Sequence, residues 1–255
     1  MLDIASPGKP GGEPARCHAS ASRRRRLVAA FCTASAAFTA QAGDWTGTAA
    51  VSSQLVDRGV AVTPPGAVAQ GAVSWVSRDG WSLGVSASYQ THSPGRVAET
   101  LAQVARAWSL TDDWQMQASL LHYRYPGNNA GARTYDRTEL GVSWIWRDVL
   151  TLGASAIQLA HRGGGPRGAA DVGFRWPLLP HLSATAGAGI AQYLAPLYRY
   201  YGQGSRPDRY RYGHAGLVWQ DGPWRLELIH VFTDRQLSRG ERGISPWVGT
   251  VAWSF

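Results

Sequence analysis

The sequence predicts an all-β protein, a transmembrane antiparallel up-and-down β-barrel of about 12 strands. Three observations carry this expectation. Trp and Tyr are sorted to opposite ends of the same segments, apolar and small polar residues alternate along those segments, and short connections alternate with long ones. Eleven of the twelve Trp (Trp45, Trp75, Trp81, Trp108, Trp114, Trp144, Trp146, Trp176, Trp219, Trp224 and Trp253) lie near tight Asp- or Pro-containing turns or a chain end. The ten Tyr (Tyr89, Tyr123, Tyr125, Tyr135, Tyr193, Tyr198, Tyr200, Tyr201, Tyr210 and Tyr212) lie at the other ends, beside long Gly-, Pro- and Arg-bearing loops. A water-soluble core has no reason to sort Trp from Tyr by end. Two membrane interfaces do, because amphipathic rings collect at headgroup level on both sides of a bilayer.

Taken in order, strands are expected near 45–57, 67–77, 80–91, 97–110, 113–124, 134–146, 148–160, 167–176, 181–193, 210–220, 222–233 and 243–255. Each is a run of period-two alternation bounded by turn residues. In 80–91, Trp81, Leu83, Val85, Ala87 and Tyr89 share one face, while Ser82, Gly84, Ser86, Ser88 and Gln90 share the other. Leu140, Val142, Trp144 and Trp146 oppose Glu139, Gly141 and Ser143; Trp224, Leu226 and Leu228 oppose Arg225 and Glu227. Short turns fall at Ser77–Gly80, Thr111–Asp113, Arg147–Asp148, Pro177–His181 and Gln220–Gly222. Long loops fall around Pro64–Gly66, Pro94–Gly95, Pro126–Gly131, Gly163–Pro166, Leu194–Arg209 and Arg235–Arg242. An even strand count places both termini on the short-turn side. Strand 97–110 fits least well: if Ala102, Val104 and Trp108 face lipid, so does Arg106, which then snorkels to the interface or marks a bulge.

No run of eighteen apolar residues exists, which excludes a helical membrane protein. Arg23 to Arg26, the apolar stretch from Leu27 to Thr39 and the small-x-small pattern at Ala40-Gln41-Ala42 read as an export signal. Residues 1–42 are therefore expected to be a cleaved leader and 43–255 the barrel. Both cysteines, Cys17 and Cys32, fall in that leader, so the expected mature chain has no thiol. Excluding the leader halves the net charge of +8, which weakens any case for nucleic acid as a partner.

Two stretches carry a family resemblance. Ser52-Ser53-Gln54-Leu55-Val56-Asp57-Arg58-Gly59-Val60 is one; His122-Tyr123-Arg124-Tyr125-Pro126-Gly127 with Tyr135-Asp136-Arg137-Thr138-Glu139-Leu140-Gly141-Val142-Ser143 is the other. The chain resembles a proteobacterial outer-membrane porin family of unknown function, the Gcw_chp or TorF-type family, through most of residues 45–255. The family's first strand commonly has an aromatic near the positions of Leu55 and Val56, which this chain lacks. The resemblance implies a barrel and a pore, with no established substrate.

No catalytic residue, cofactor site or metal site is expected. His92 with Ser93 and His122 with Asn128 are the only pairings worth naming, and neither forms a nucleophile–base–orienter pattern. Metal-ligand spacing is missing. Glu99, Glu139, Asp171, Arg175, Arg225 and Glu227 are expected to face the lumen, with Gln103, Gln115 and Gln117. Opposed acids and arginines there either set the selectivity of a water path or close it as a salt-bridged plug. Arg58, Arg96, Arg124, Arg137 and many others map to the long-loop side, and Arg199, Arg206, Arg209 and Arg211 are expected at the extracellular mouth. Such arginines suit either adhesion to lipopolysaccharide phosphates or an electropositive mouth for anionic solutes. The expected function is a small passive outer-membrane pore for small polar, anion-leaning solutes. The alternatives are a non-conducting structural or adhesin barrel and, behind it, a lipid-modifying enzyme. The expected partners are the bilayer, lipopolysaccharide and, through the terminal Phe255, the barrel assembly machinery; no nucleic acid and no oligomeric state are assigned.

Overall fold

The alternating segments become the wall of a closed barrel. The computed structural model describes residues 45–92, 95–126, 136–160, 165–192, 209–234 and 243–255. Among them, twelve antiparallel strands pair neighbour to neighbour around a closed ring. They are β1 (Trp45–Ser52), β4 (Val68–Val76), β5 (Trp81–Gln90), β6 (Arg96–Ser109), β7 (Trp114–Arg124), β8 (Arg137–Trp146), β9 (Leu150–Leu159), β10 (Arg167–Leu179), β11 (Leu182–Gln192), β12 (Arg209–Asp221), β13 (Trp224–Thr233) and β14 (Trp247–Ser254). The remaining pair, β2 (Val56–Asp57) and β3 (Val60–Ala61), forms a separate two-stranded hairpin. Closure comes where the ends meet: β1 pairs with β14 from Thr48 opposite Ser254 to Ser52 opposite Thr250. With every neighbour paired, no backbone edge is left facing hydrocarbon.

The two faces separate as the sequence pattern requires. Leu83, Val85, Leu140, Phe174, Leu226, Leu228 and Val251 are exposed on the outside. Trp45, Trp81, Trp176, Trp219, Trp224 and Trp253 form an exposed belt at the short-turn end. Trp247 is the one Trp at the other end, packed edge-on against His230 at 4.8 Å between centroids. Arg106 lies opposite Trp81 and so faces out. Its guanidinium sits 5.2 Å from the ring centroids of both Trp81 and Trp108, which holds the charge at interface level by cation–π contact. A register shift between Ser88 and Tyr89 marks a bulge at Ala98 near the far end of β6; Glu99, next to it, is in phase with Leu101 and Gln103 on the inner face opposite Ser88.

Two sequence expectations are corrected. The first strand does not run to residue 57: β1 ends at Ser52, and the chain then turns into the lumen. Nor do the described tyrosines form a lipid-facing belt. Tyr89 is exposed, but Tyr123, Tyr125, Tyr210 and Tyr212 are buried on the inner side. Tyr123 lies opposite Arg137 and Tyr210 opposite Ala191, both buried positions, so strand parity turns these rings inward. Tyr135, Tyr193, Tyr198, Tyr200 and Tyr201 lie outside the described residues, as does the leader.

Inter-strand packing is tight at Gly216. A Cβ there would collide with the Leu228 carbonyl oxygen and come within 2.7 Å of the Ile229 Cα, both backbone atoms of β13. At Gly249 the space is open. Gly216→Ala is expected to cost ~1–3 kcal/mol by forcing β12 from β13, whereas Gly249→Ala is tolerated. Urea unfolding midpoints of the two variants in detergent check this.

Candidate lumen site

The site is built by the chain that leaves β1. Arg58 and Gly59 both have positive φ, 45° and 71°, as the two central residues of a tight primed hairpin turn require. Asp57 and Val60 flank that turn, so the hairpin carries an acid, a base and an apolar side chain at its tip. A Cβ on Gly59 would stand 2.6 Å from the Tyr212 Cβ; the absence of a side chain lets the tip press against β12. Val60 packs on a buried cluster of Ile157, Ala169, Ala191, Tyr210 and Tyr212 from the barrel wall.

The root of the hairpin is fixed by one amide. Gln54 is fully buried; its Nε2 donates to the Thr63 and Gly243 carbonyls, both at 2.9 Å. Its Oε1 accepts from the Ser245 N–H at 2.8 Å. The Leu55 N–H donates to the Thr63 Oγ1 at 3.0 Å and the Val62 N–H to the Leu55 carbonyl at 2.9 Å. The inward turn is thus tied to the approach to β14 as well as to itself.

At the tip, one carboxylate serves two arginines. Arg58 donates from both terminal nitrogens to Glu139, at 3.1 and 2.7 Å, and from Nη2 to the Ser155 Oγ at 3.2 Å. Arg137 donates from Nε to Glu139 at 2.5 Å and from Nη1 to the Tyr125 hydroxyl at 2.6 Å. Its Nη2 donates to Asp57, back on the hairpin. The Arg137 guanidinium also lies 4.1 Å from the Tyr123 ring centroid, and Tyr123 stacks parallel to Tyr125. Arg58 was expected on the outer loops; the structure places it in the lumen with side-chain exposure of 8 %, against 0 % for Glu139. Burial explains why Arg137 is bonded at all three nitrogens and Arg58 at both terminal ones: a desolvated charge without partners costs several kcal/mol.

A second contact lies further round the same wall, between β10 and β12. Tyr212 donates to Asp171. Gly189, between them in register on β11, makes this possible, since a Cβ there would meet the Tyr212 ring carbon at 2.5 Å. Glu99, Glu139, Asp171, Arg175, Arg225 and Glu227 all project inward. Glu139 and Asp171 join the hairpin layer, and Glu99 reaches it through Tyr125. Arg225 pairs with Glu227 at 2.9 Å nearer the short-turn end, and Arg175 reaches Gln220 at 3.5 Å. Arg209 and Arg211 are exposed on the outer face of β12, out of phase with the inward Tyr210 and Tyr212. Arg199 and Arg206 lie outside the described residues, as do Ser93 and Asn128. His122 bonds Thr138 at 3.1 Å on the exterior face. Among the described residues no group of His, Cys, Asp or Glu could hold a metal.

Because the hairpin leans on β8 to β12, the facing wall stays open. A cleft of mixed polar and apolar lining runs along β13, β14, β1, β4, β5 and β6, from Leu55 and Glu99 past Gln70, Ser86 and Ser88 down to Arg225.

A closed twelve-strand barrel with an apolar exterior, a Trp belt and a polar interior defines an outer-membrane β-barrel of the bacterial type. The fold is similar to that of the NanC porin, with a TM-score of 0.51 and 14% identity over 83% of this chain and 99% of that one. The outer membrane protein OprD from Pseudomonas aeruginosa aligns at a TM-score of 0.39 and 12% identity, over 74% of this chain and 59% of that one. OccAB3 from Acinetobacter baumannii aligns at 0.39 and 10% identity, over 74% and 55%. This chain therefore spans less than two thirds of those two longer barrels. No family model and no curated protein matches the sequence.

Glu139 is the shared acceptor of both buried guanidiniums, so Glu139→Gln is expected to release the hairpin at a cost of ~3–5 kcal/mol. Backbone amide exchange should rise at residues 55–62 while the barrel strands keep their protection.

Proposed function

We propose that this chain is a small passive outer-membrane channel for small polar solutes, with its aperture set by the β2–β3 hairpin. The cleft left beside the hairpin, from Leu55 and Glu99 down to Arg225, carries the reading. Twelve strands enclose more space than an eight-strand barrel fills with side chains and less than a wide porin channel. Here one inward hairpin occupies one side of that space and leaves the other lined by Ser, Gln and Ala. The likeness to a porin fold is in keeping with this, and the Gcw_chp or TorF-type grouping belongs to the same proposal. The arginines toward the long-loop end, with Arg199, Arg206, Arg209 and Arg211 among them, would draw anions to the mouth. Those exposed on the outer face, Arg124, Arg209 and Arg211, would pair with lipopolysaccharide phosphates in this reading. Phe255, which ends the strand that closes the barrel, is the proposed handle for the assembly machinery.

A second reading, a non-conducting structural or adhesin barrel, is favoured by one observation: the hairpin layer is packed and ion-paired, as a plug would be. Planar-bilayer recording separates the two. The folded barrel should give discrete conductance steps, and replacing residues 54–63 with a short Gly-Ser link should raise the conductance severalfold. A barrel that is silent with and without the hairpin supports the structural reading.

A further inference from the structure

We infer that the narrow section of this channel selects for small cations, although the sequence is basic, and that Glu99 is the residue that sets this preference. The inference rests on the channel reading above. Charge at the hairpin level is acidic in excess: Asp57, Glu99, Glu139 and Asp171 against Arg58 and Arg137. What a passing ion meets depends on which of these are already spent.

Both guanidiniums are spent. Arg58 gives its terminal nitrogens to Glu139 and Ser155, and Arg137 gives all three nitrogens to Glu139, Tyr125 and Asp57. Arg58 reaches from the hairpin to Glu139 and Ser155 on β8 and β9, Arg137 reaches from β8 to Asp57 on the hairpin, and neither lines the cleft. The basic residues elsewhere do not fill the gap: Arg225 is paired with Glu227, Arg175 lies toward the short-turn end against Gln220, and Arg96 and Arg167 sit at the far ends of β6 and β10, at the rim. Asp171 is turned to Tyr212. Glu99 differs from all of these. It lies on β6, opposite Ser88, hydrogen-bonded to the Tyr125 hydroxyl with the Arg137 guanidinium in electrostatic reach, and it is the acid of the hairpin level that also lines the cleft, beside Gln70, Ser86 and Ser88. A carboxylate on a narrow, weakly screened path attracts cations and repels anions. The basic rim and the acidic layer then do different things: the rim concentrates anions outside, and the layer decides what crosses.

The reversal potential under a potassium chloride gradient tests this, on the full mature barrel in planar bilayers. The wild type is expected to pass potassium over chloride, and Glu99→Gln to lower that permeability ratio about twofold or more. Heat-modifiable migration confirms that the variant barrel is folded. Ser86→Asp, which adds a carboxylate to the same cleft, should raise the ratio and does not depend on Glu99→Gln folding. A conducting barrel that prefers chloride, or a ratio that neither substitution moves, overturns the inference and leaves the channel reading intact. A barrel silent both as wild type and without its hairpin overturns the channel reading, and this inference with it.

Discussion

The lumen of this barrel is organised by a single buried carboxylate that two arginines share. Glu139 faces inward from β8 because strand parity puts Leu140 on the lipid side. Once inward, it lies in a layer from which water is excluded, where its charge needs donors. Arg137, two residues back on the same face, supplies one set, and Arg58 supplies the other from the hairpin. Arg137 in turn binds Asp57, so the hairpin is held at two successive residues, Asp57 and Arg58, by the same wall residue pair. Remove the carboxylate, and Arg58 loses its ion-pair partner while Arg137 is left with Asp57 and Tyr125.

Such a network adds little net stability, because the desolvation of each ion offsets most of the attraction. Its physical value is position. Apolar packing of Val60 against Ile157, Tyr210 and Tyr212 draws the hairpin to the wall but would tolerate sliding. The bidentate contact of Arg58 with Glu139 has a fixed geometry. Together with the Gln54 clasp at the root, it fixes where the hairpin stops and therefore how much cleft remains. Aperture follows from register.

The wall of the barrel was legible in the sequence because lipid outside and water inside impose a period of two on every strand. The inward placement of Glu139, Asp171, Arg225 and Glu227 followed directly from their apolar neighbours in sequence. The hairpin was not legible for the same reason. Val56-Asp57-Arg58-Gly59-Val60 continues an alternating pattern, and alternation does not distinguish a strand in the wall from one in the lumen. The Arg-Gly pair at 58–59 was the available sign of a turn. The tyrosines show a second limit: proximity to an interface was read as exposure to lipid, whereas the parity of Tyr123 with Tyr125, and of Tyr210 with Tyr212, puts each pair on the inner face. The pairing of Arg58 with Glu139, 81 residues apart, lies beyond any local pattern.

The central claim is that residues 54–63 fold into the barrel and rest on β8 to β12. Solution NMR of the mature barrel in detergent micelles, with labelled methyls and aromatic rings, tests it most directly. The account predicts nuclear Overhauser contacts from the Val60 methyls to Ile157 and to the rings of Tyr210 and Tyr212. Val60 methyls that contact only solvent or the external loops, with those rings reporting an empty lumen, would contradict it.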